Sequence, residues 1–131
     1  MPLSGMNQML AMMVNGFYGG VGVGMLNFFI FIIIAVFISG LMVGRTPEFF
    51  GKKVEAREVK IAVIVTLMSA ILIKGGTAVA AYLISADPSL PWLNNPGFHG
   101  FSEMLYEFTS ANANNGSGFE GLGDNNPFWN I

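Results

Sequence analysis

Residues Gly19 to Lys60 read GGVGVGMLNFFIFIIIAVFISGLMVGRTPEFFGKKVEAREVK: a glycine string, an uncharged apolar run, then a basic stretch. The run Met25–Val43 would measure roughly 28 Å as a helix, enough to cross the hydrocarbon of a bilayer. Toward the N-terminus the absence of charge continues, since residues 1–44 contain no Asp, Glu, Lys, Arg or His. Toward the C-terminus a second apolar run, Ile61–Ser85, is interrupted only by Lys74. Across all 131 residues 53% are hydrophobic and 11% charged, against about 25% charged in a soluble domain. Charge this sparse cannot cover a globule, so the sequence predicts a membrane protein and excludes a soluble enzyme.

Other classes fall on the same arithmetic. A net charge of −2 gives nucleic acid no electrostatic footprint. Cysteine is absent, which removes disulfides, thiolate metal sites and cysteine nucleophiles, and His99 is the single histidine. No basic region precedes the first apolar stretch, so a secretory signal is not expected.

The basic stretch RTPEFFGKKVEAREVK carries Arg45, Lys52, Lys53, Arg57 and Lys60, five of the six basic residues. The positive-inside rule assigns it to the cytoplasm. Met25–Val43 then runs inward and Ile61–Ser85 outward. Beyond Lys74 the charged residues are Asp87, Glu103, Glu107, Glu120 and Asp124, all acidic, as suits an external segment. ADPSLPWLNNPGFHG reads as an outer loop with Trp92 as an interfacial aromatic. Thr46, Pro47 and Glu48 read as the start of a short interfacial helix, with Pro47 at its first position.

Two further stretches, Gly5–Asn15 and Phe101–Asn112, are long enough for about three helical turns, too short to span. Each runs into glycine: GGVGVG at Gly19–Gly24 and NNGSGFEGLG at Asn114–Gly123. A short helix followed by non-helical glycine backbone is the pattern of a re-entrant loop, tolerated at membrane depth where protein or water surrounds it. Gly22-Val23-Gly24 and Gly116-Ser117-Gly118 match each other. The predicted fold is therefore an all-α membrane protein built from channel-like units: pore helix, filter, membrane helix, loop, membrane helix, pore helix, filter. A dehydrated cation needs several oxygens, which successive backbone carbonyls supply if glycines let the chain leave the usual φ/ψ basins. The pore helix adds its negative C-terminal end.

Blander readings stand beside this one. GGVGVG could be a helix-packing surface; it is no dinucleotide fingerprint, because GxGxxG fails and no βαβ context exists. NNGSGFEGLGDNN could be a polar surface loop, and Asn115-Gly116-Ser117 matches a glycosylation acceptor. Lys74 faces protein or snorkels, or else lines an ion route as a fixed positive charge. His99, Glu103 and Glu107 are spaced i, i+4, i+8, but Pro96-Gly97 and Gly100 predict a helix starting after His99, which would break a metal-ligand alignment. A two-helix potassium channel subunit and a non-transporting membrane scaffold are the competing functional classes.

GGVGVGMLNFFIFIIIAVFISGLMVGRTPEFFGKKVEAREVK and NPGFHGFSEMLYEFTSANANNGSGFEGLGDNNPFWN closely resemble the potassium-binding A subunit of the bacterial Kdp potassium-transporting ATPase, and GRTPEFFGKKVEARE is specific to that family. Members are several times longer and are related to potassium channels, with four pore units around one filter. The resemblance implies that residues 1–44 end the third unit, 45–60 form a cytoplasmic loop, and 61–131 begin the fourth, the rest lying outside this sequence. It implies filter roles for Gly22 and Gly116, with Val21, Val23, Gly24, Asn114, Asn115 and Ser117 flanking them. It also implies potassium as the transported ion, no further cofactor, and a multi-pass location in the bacterial inner membrane. The expected partners are a P-type ATPase subunit that hydrolyses ATP, small accessory subunits and the lipid bilayer. This chain, having no nucleotide motif, is not itself expected to be an enzyme.

Overall fold

In a computed structural model, which describes residues 3–95 and 97–130, the chain is mostly helical. The order is α1 (Ser4–Tyr18), α2 (Val23–Val43), β1 (Glu48–Phe49), β2 (Lys52–Lys53), α3 (Ala56–Ala86) and α4 (Phe98–Asn112). α2 and α3 are long and apolar enough to cross a membrane, and they extend the two predicted apolar runs by a few residues. α2 buries none of its side chains and α3 buries Ala62, Thr77 and Ala80. Both can bare so much apolar surface because hydrocarbon, unlike water, does not penalise it, while a helix satisfies its own backbone.

The helix ends have local chemical causes. α2 stops at Gly44, whose φ of 71° allows the Gly44 and Arg45 N–H groups to bond back to Leu41 and Gly40. α3 starts with a reciprocal capping box between Glu55 and Glu58. It stops at Asp87, whose carboxylate accepts from the backbone and hydroxyl of Ser89 and is held below the usual aspartate range by the hydroxyl bond first and the backbone bond second.

The short helix expected from Thr46-Pro47-Glu48 is replaced by a hairpin. Glu48 pairs with Lys53 and Phe49 with Lys52, and Phe50 and Gly51 both take positive φ (49° and 73°), the signature of a tight hairpin turn. Pro47 packs against the bare backbone of Gly40, and its carbonyl accepts from Val54 N–H at 2.9 Å. The loop thus folds back onto the end of α2 instead of continuing as a helix.

α4 packs against both α3 and α1, and α2 packs against α3. Two glycines seat α4: a β-carbon at Gly76 of α3 would strike the Phe108 ring, and one at Gly16 of α1 would lie 2.9 Å from the Thr109 methyl. The small core is Met12, Tyr106 and Ala113, with Met9 and Phe119 against it. The loop between α3 and α4 is tied down by backbone bonds from Asn94 N–H to Gly121 O and from Gly123 N–H to Trp92 O. There Trp92 stacks on Phe128 with ring centroids 4.4 Å apart.

Candidate ion-binding site

The two glycine strings take different shapes. After α1, Gly19 turns left-handed (φ 86°) and its N–H closes on Asn15 O at 2.7 Å. The carbonyl of Tyr18 accepts from Asn27 Nδ2 at 2.8 Å, and that of Gly20 accepts from Gly24 N–H at 2.9 Å. Gly22 is the N-cap residue of α2, and Val23 and Gly24 are its first helical residues. The carbonyl row expected over Val21–Gly24 is therefore not formed, because the oxygens from Gly22 onward belong to the α2 ladder. Alternating glycines suggest extended backbone, but here they serve as the left-handed cap of one helix and the N-cap of the next. Val21 has its side chain fully exposed.

The second string leaves its helix and stays out. α4 ends in a Schellman motif: Asn114 is left-handed (φ 62°), its N–H bonds to Ala111 O, and Asn115 N–H bonds to Ser110 O at 3.0 Å. Residues 115–119 are neither helix nor strand, and Gly116 is left-handed again (φ 64°) with open space around its α-carbon. Among the described residues, no backbone N–H is bonded to a backbone oxygen of residues 113–118. The N–H side is held instead: Ser117 N–H donates to Ser110 Oγ at 2.8 Å. The string thus keeps its carbonyls out of any backbone ladder, just beyond the negative end of a 15-residue helix. The two strings meet at one point, where a β-carbon at Gly20 would lie 2.9 Å from Ala113 O.

Behind this segment α4 presents a buried polar stripe that charge and glycine patterning do not reveal. Glu103, Tyr106 and Ser110 are each at most 1% exposed, and their i, i+3, i+7 spacing, one helical face, was the available signal. Glu103 Oε1 accepts from Asn95 Nδ2 at 2.5 Å, and Gly121 has no side chain because that pair fills the space. Glu107 Oε2 is buried with no hydrogen-bond partner among the described residues, and its carboxyl is raised above the usual range by burial first and by the charge of Asp124 second.

α4 begins at Phe98, one residue before His99, so the histidine is helical after all. It lies one turn from Glu103, with Nε2 3.7 Å from Oε1. Even so, no group of three His, Cys, Asp or Glu side chains among the described residues is placed to hold a metal ion. Lys74, in the interior of α3, lines an open, mostly apolar cleft of about 760 Å³ together with Gly16, Asn27, Thr109 and Asn112.

The whole chain has counterparts among known proteins. The family model described as potassium-transporting ATPase A subunit matches residues 1–131. The chain is 66% identical over 140 residues to a potassium-transporting ATPase potassium-binding subunit of Flavobacterium johnsoniae, covering 100% of this chain and 24% of that protein. Proteins of the same description from Phocaeicola vulgatus and Alicyclobacillus acidocaldarius are 67% and 60% identical, over 99% and 100% of this chain and 24% and 23% of theirs. The chain thus spans about a quarter of the length of the curated relatives it matches.

Proposed function

We propose that this chain, which belongs to the family of potassium-transporting ATPase A subunits, contributes one filter segment to the potassium-binding subunit of an ATP-driven uptake system. The observation that supports the reading is the run of backbone oxygens at residues 113–118, which no backbone N–H bonds among the described residues, while Ser117 N–H is held by Ser110 Oγ just past the end of α4. A dehydrated potassium ion takes its oxygens from such rows. One row supplies part of a coordination shell, so the segment would act with others from the remaining three quarters of the longer protein.

On this reading Gly116 sits at the centre of the filter segment, with Asn114, Asn115 and Ser117 flanking it. Residues 61–131 belong to one pore unit, 45–60 to a cytoplasmic loop, and 1–44 to the end of the unit before. Gly22, Val21, Val23 and Gly24 form the break between α1 and α2 and supply no filter row. External potassium is captured at the segment and passed to a partner P-type ATPase subunit. That partner, working with small accessory subunits, hydrolyses ATP, so this chain carries no catalytic residue and needs no cofactor. The setting is the bacterial inner membrane, which α2 and α3 cross in opposite directions. Family membership over the whole chain favours this reading over a simple channel subunit or a scaffold.

The test is energy-dependent potassium uptake by the full-length protein with its partners, comparing wild type with Gly116→Asp. A β-carbon at Gly116 meets nothing within 4 Å, and Asp is among the side chains that best tolerate its left-handed φ of 64°. The potassium concentration for half-maximal uptake should rise roughly tenfold or more, about 1.4 kcal/mol of lost binding, with the protein still in the membrane. An unchanged value would overturn the assignment.

A further inference from the structure

The polar groups behind residues 115–117 form a connected chain that also includes α1. Gln8 Nε2, on α1, donates to Tyr106 OH at 3.0 Å. Tyr106 OH lies 3.2 Å from Ser117 Oγ, which lies 3.1 Å from Ser110 Oγ. Ser110 Oγ also receives the Ser117 N–H at 2.8 Å. One turn beyond Gln8, Met12 Sδ accepts from Asn115 Nδ2 at 3.1 Å. The directions are mutually consistent: the Gln8 amide leaves the phenol proton free for Ser117, and Ser117 can pass its own to Ser110. Tyr106 and Ser110 are buried to 1% and 0% exposure, where an unmet polar group is costly, so removing one link unsettles the rest.

We infer that Gln8, Tyr106 and Ser110 are positioning residues for the ion-binding backbone, fixing Ser117 from behind so that neighbouring carbonyls hold one spacing. The inference rests on the filter reading of Asn114–Ser117. It assigns α1 a part in the site that its own glycine string does not have. α1 touches the second string through Gln8 by way of Tyr106 and through Met12, so the setting of α1 against α4 reaches the segment that would meet the ion. In the snug-fit account of selectivity, a carbonyl row discriminates between cations of one charge through the spacing it holds. Loosening the network should therefore alter ion preference before it alters turnover.

The experiment uses the full-length protein with its partners and measures uptake of potassium and of rubidium, a larger ion of equal charge. Tyr106→Phe removes one oxygen and keeps the ring packed on Phe119, and Ser110→Ala removes the double contact to Ser117. Thr109→Val is the control: its hydroxyl, also buried on the same helix, bonds among the described residues to Leu105 O and not to the second string. Tyr106→Phe and Ser110→Ala should raise the potassium concentration for half-maximal uptake several-fold and narrow the preference for potassium over rubidium. The maximal rate should stay near wild type, and Thr109→Val should leave the ion preference unchanged. If all three variants lower only membrane content or maximal rate, the hydroxyls merely hold α4 together and the inference fails. If Gly116→Asp alters ion dependence while Tyr106→Phe and Ser110→Ala do not, the positioning role falls and the filter reading stands. If none of them alters it, both fall.

Discussion

Gly19–Gly24 and Asn114–Gly118 look alike on paper and differ in where their backbone oxygens go. In the first string α2 claims most of them: Gly24 N–H takes Gly20 O and the α2 ladder takes the oxygens from Gly22 onward, with Asn27 bonded to Tyr18 O just before the string. In the second, the N–H groups of Asn115 and Ser117 are tied to Ser110, and among the described residues no backbone N–H takes the oxygens of residues 113–118. Glycine content alone does not decide whether a string can hold a cation. The neighbouring residues decide it: a Val-Gly-Met-Leu-Asn sequence re-enters a helix at once, whereas a Gly-Ser-Gly-Phe sequence finds buried hydroxyls to lean on.

The largest expected effect separates the strings directly. Gly22→Ala places a side chain on a backbone with φ 84° and nothing within 4 Å, so it should cost roughly 1–3 kcal/mol of stability through strain. It should leave the potassium concentration for half-maximal uptake within about twofold, under the roughly tenfold (1.4 kcal/mol) expected for Gly116→Asp. Uptake assays on the two variants in parallel would check this. Equal shifts in ion dependence would erase the contrast and return Gly22 to the site.

A second contrast concerns how the strings are seated. α4, which carries the second, is clamped between Gly16 and Gly76, whereas Gly75 faces open space. Gly76→Ala pushes a methyl into the Phe108 ring and should destabilise the protein by about 1–3 kcal/mol. Gly75→Ala should be neutral or stabilising by up to about 1 kcal/mol, the ordinary gain in a helix interior. Thermal unfolding of the purified full-length proteins would read both, and a destabilising Gly75→Ala would place a neighbour where none is seen.

The legibility of each feature depends on the forces behind it. The two long apolar helices were legible, because uncharged runs such as Met25–Val43 leave a chain in lipid no other way to satisfy its backbone. So were the short helices, with ends off by a few residues. The hairpin at Glu48–Lys53 was not: Pro47 suits a helix start as well as it suits packing on Gly40, and Phe50 is an uncommon residue at positive φ. The shape of Gly19–Gly24 was hidden because alternate glycines serve a cap and a filter equally well. The stripe Glu103, Tyr106, Ser110 was readable from its spacing, but a carboxylate on a short helix reads as solvated charge until its burial is known. Gln8 could not have been found, since its partner lies 98 residues away.

The smallest expected effect lies beside the second string; the segment that holds the first, residues 1–44, contains no Asp, Glu, Lys, Arg or His of its own. Glu107 Oε2 comes within 3.4 Å of the place a β-carbon at Gly118 would take. Burial, and then the charge of Asp124, raise its carboxyl above 4.5. A raised acid keeps its proton longer in the folded state than in the unfolded one. Its contribution to stability is therefore complete below about pH 4.5 and is lost as pH rises through the folded value. Glu107→Gln fixes the uncharged form, so the variant should match wild type near pH 4.5 and unfold at a slightly higher temperature toward neutrality. Thermal midpoints across that range, on the full-length protein, would show the two curves diverging upward with pH. Parallel curves would mean that Glu107 meets a compensating donor and that its charge does not bear on the second string.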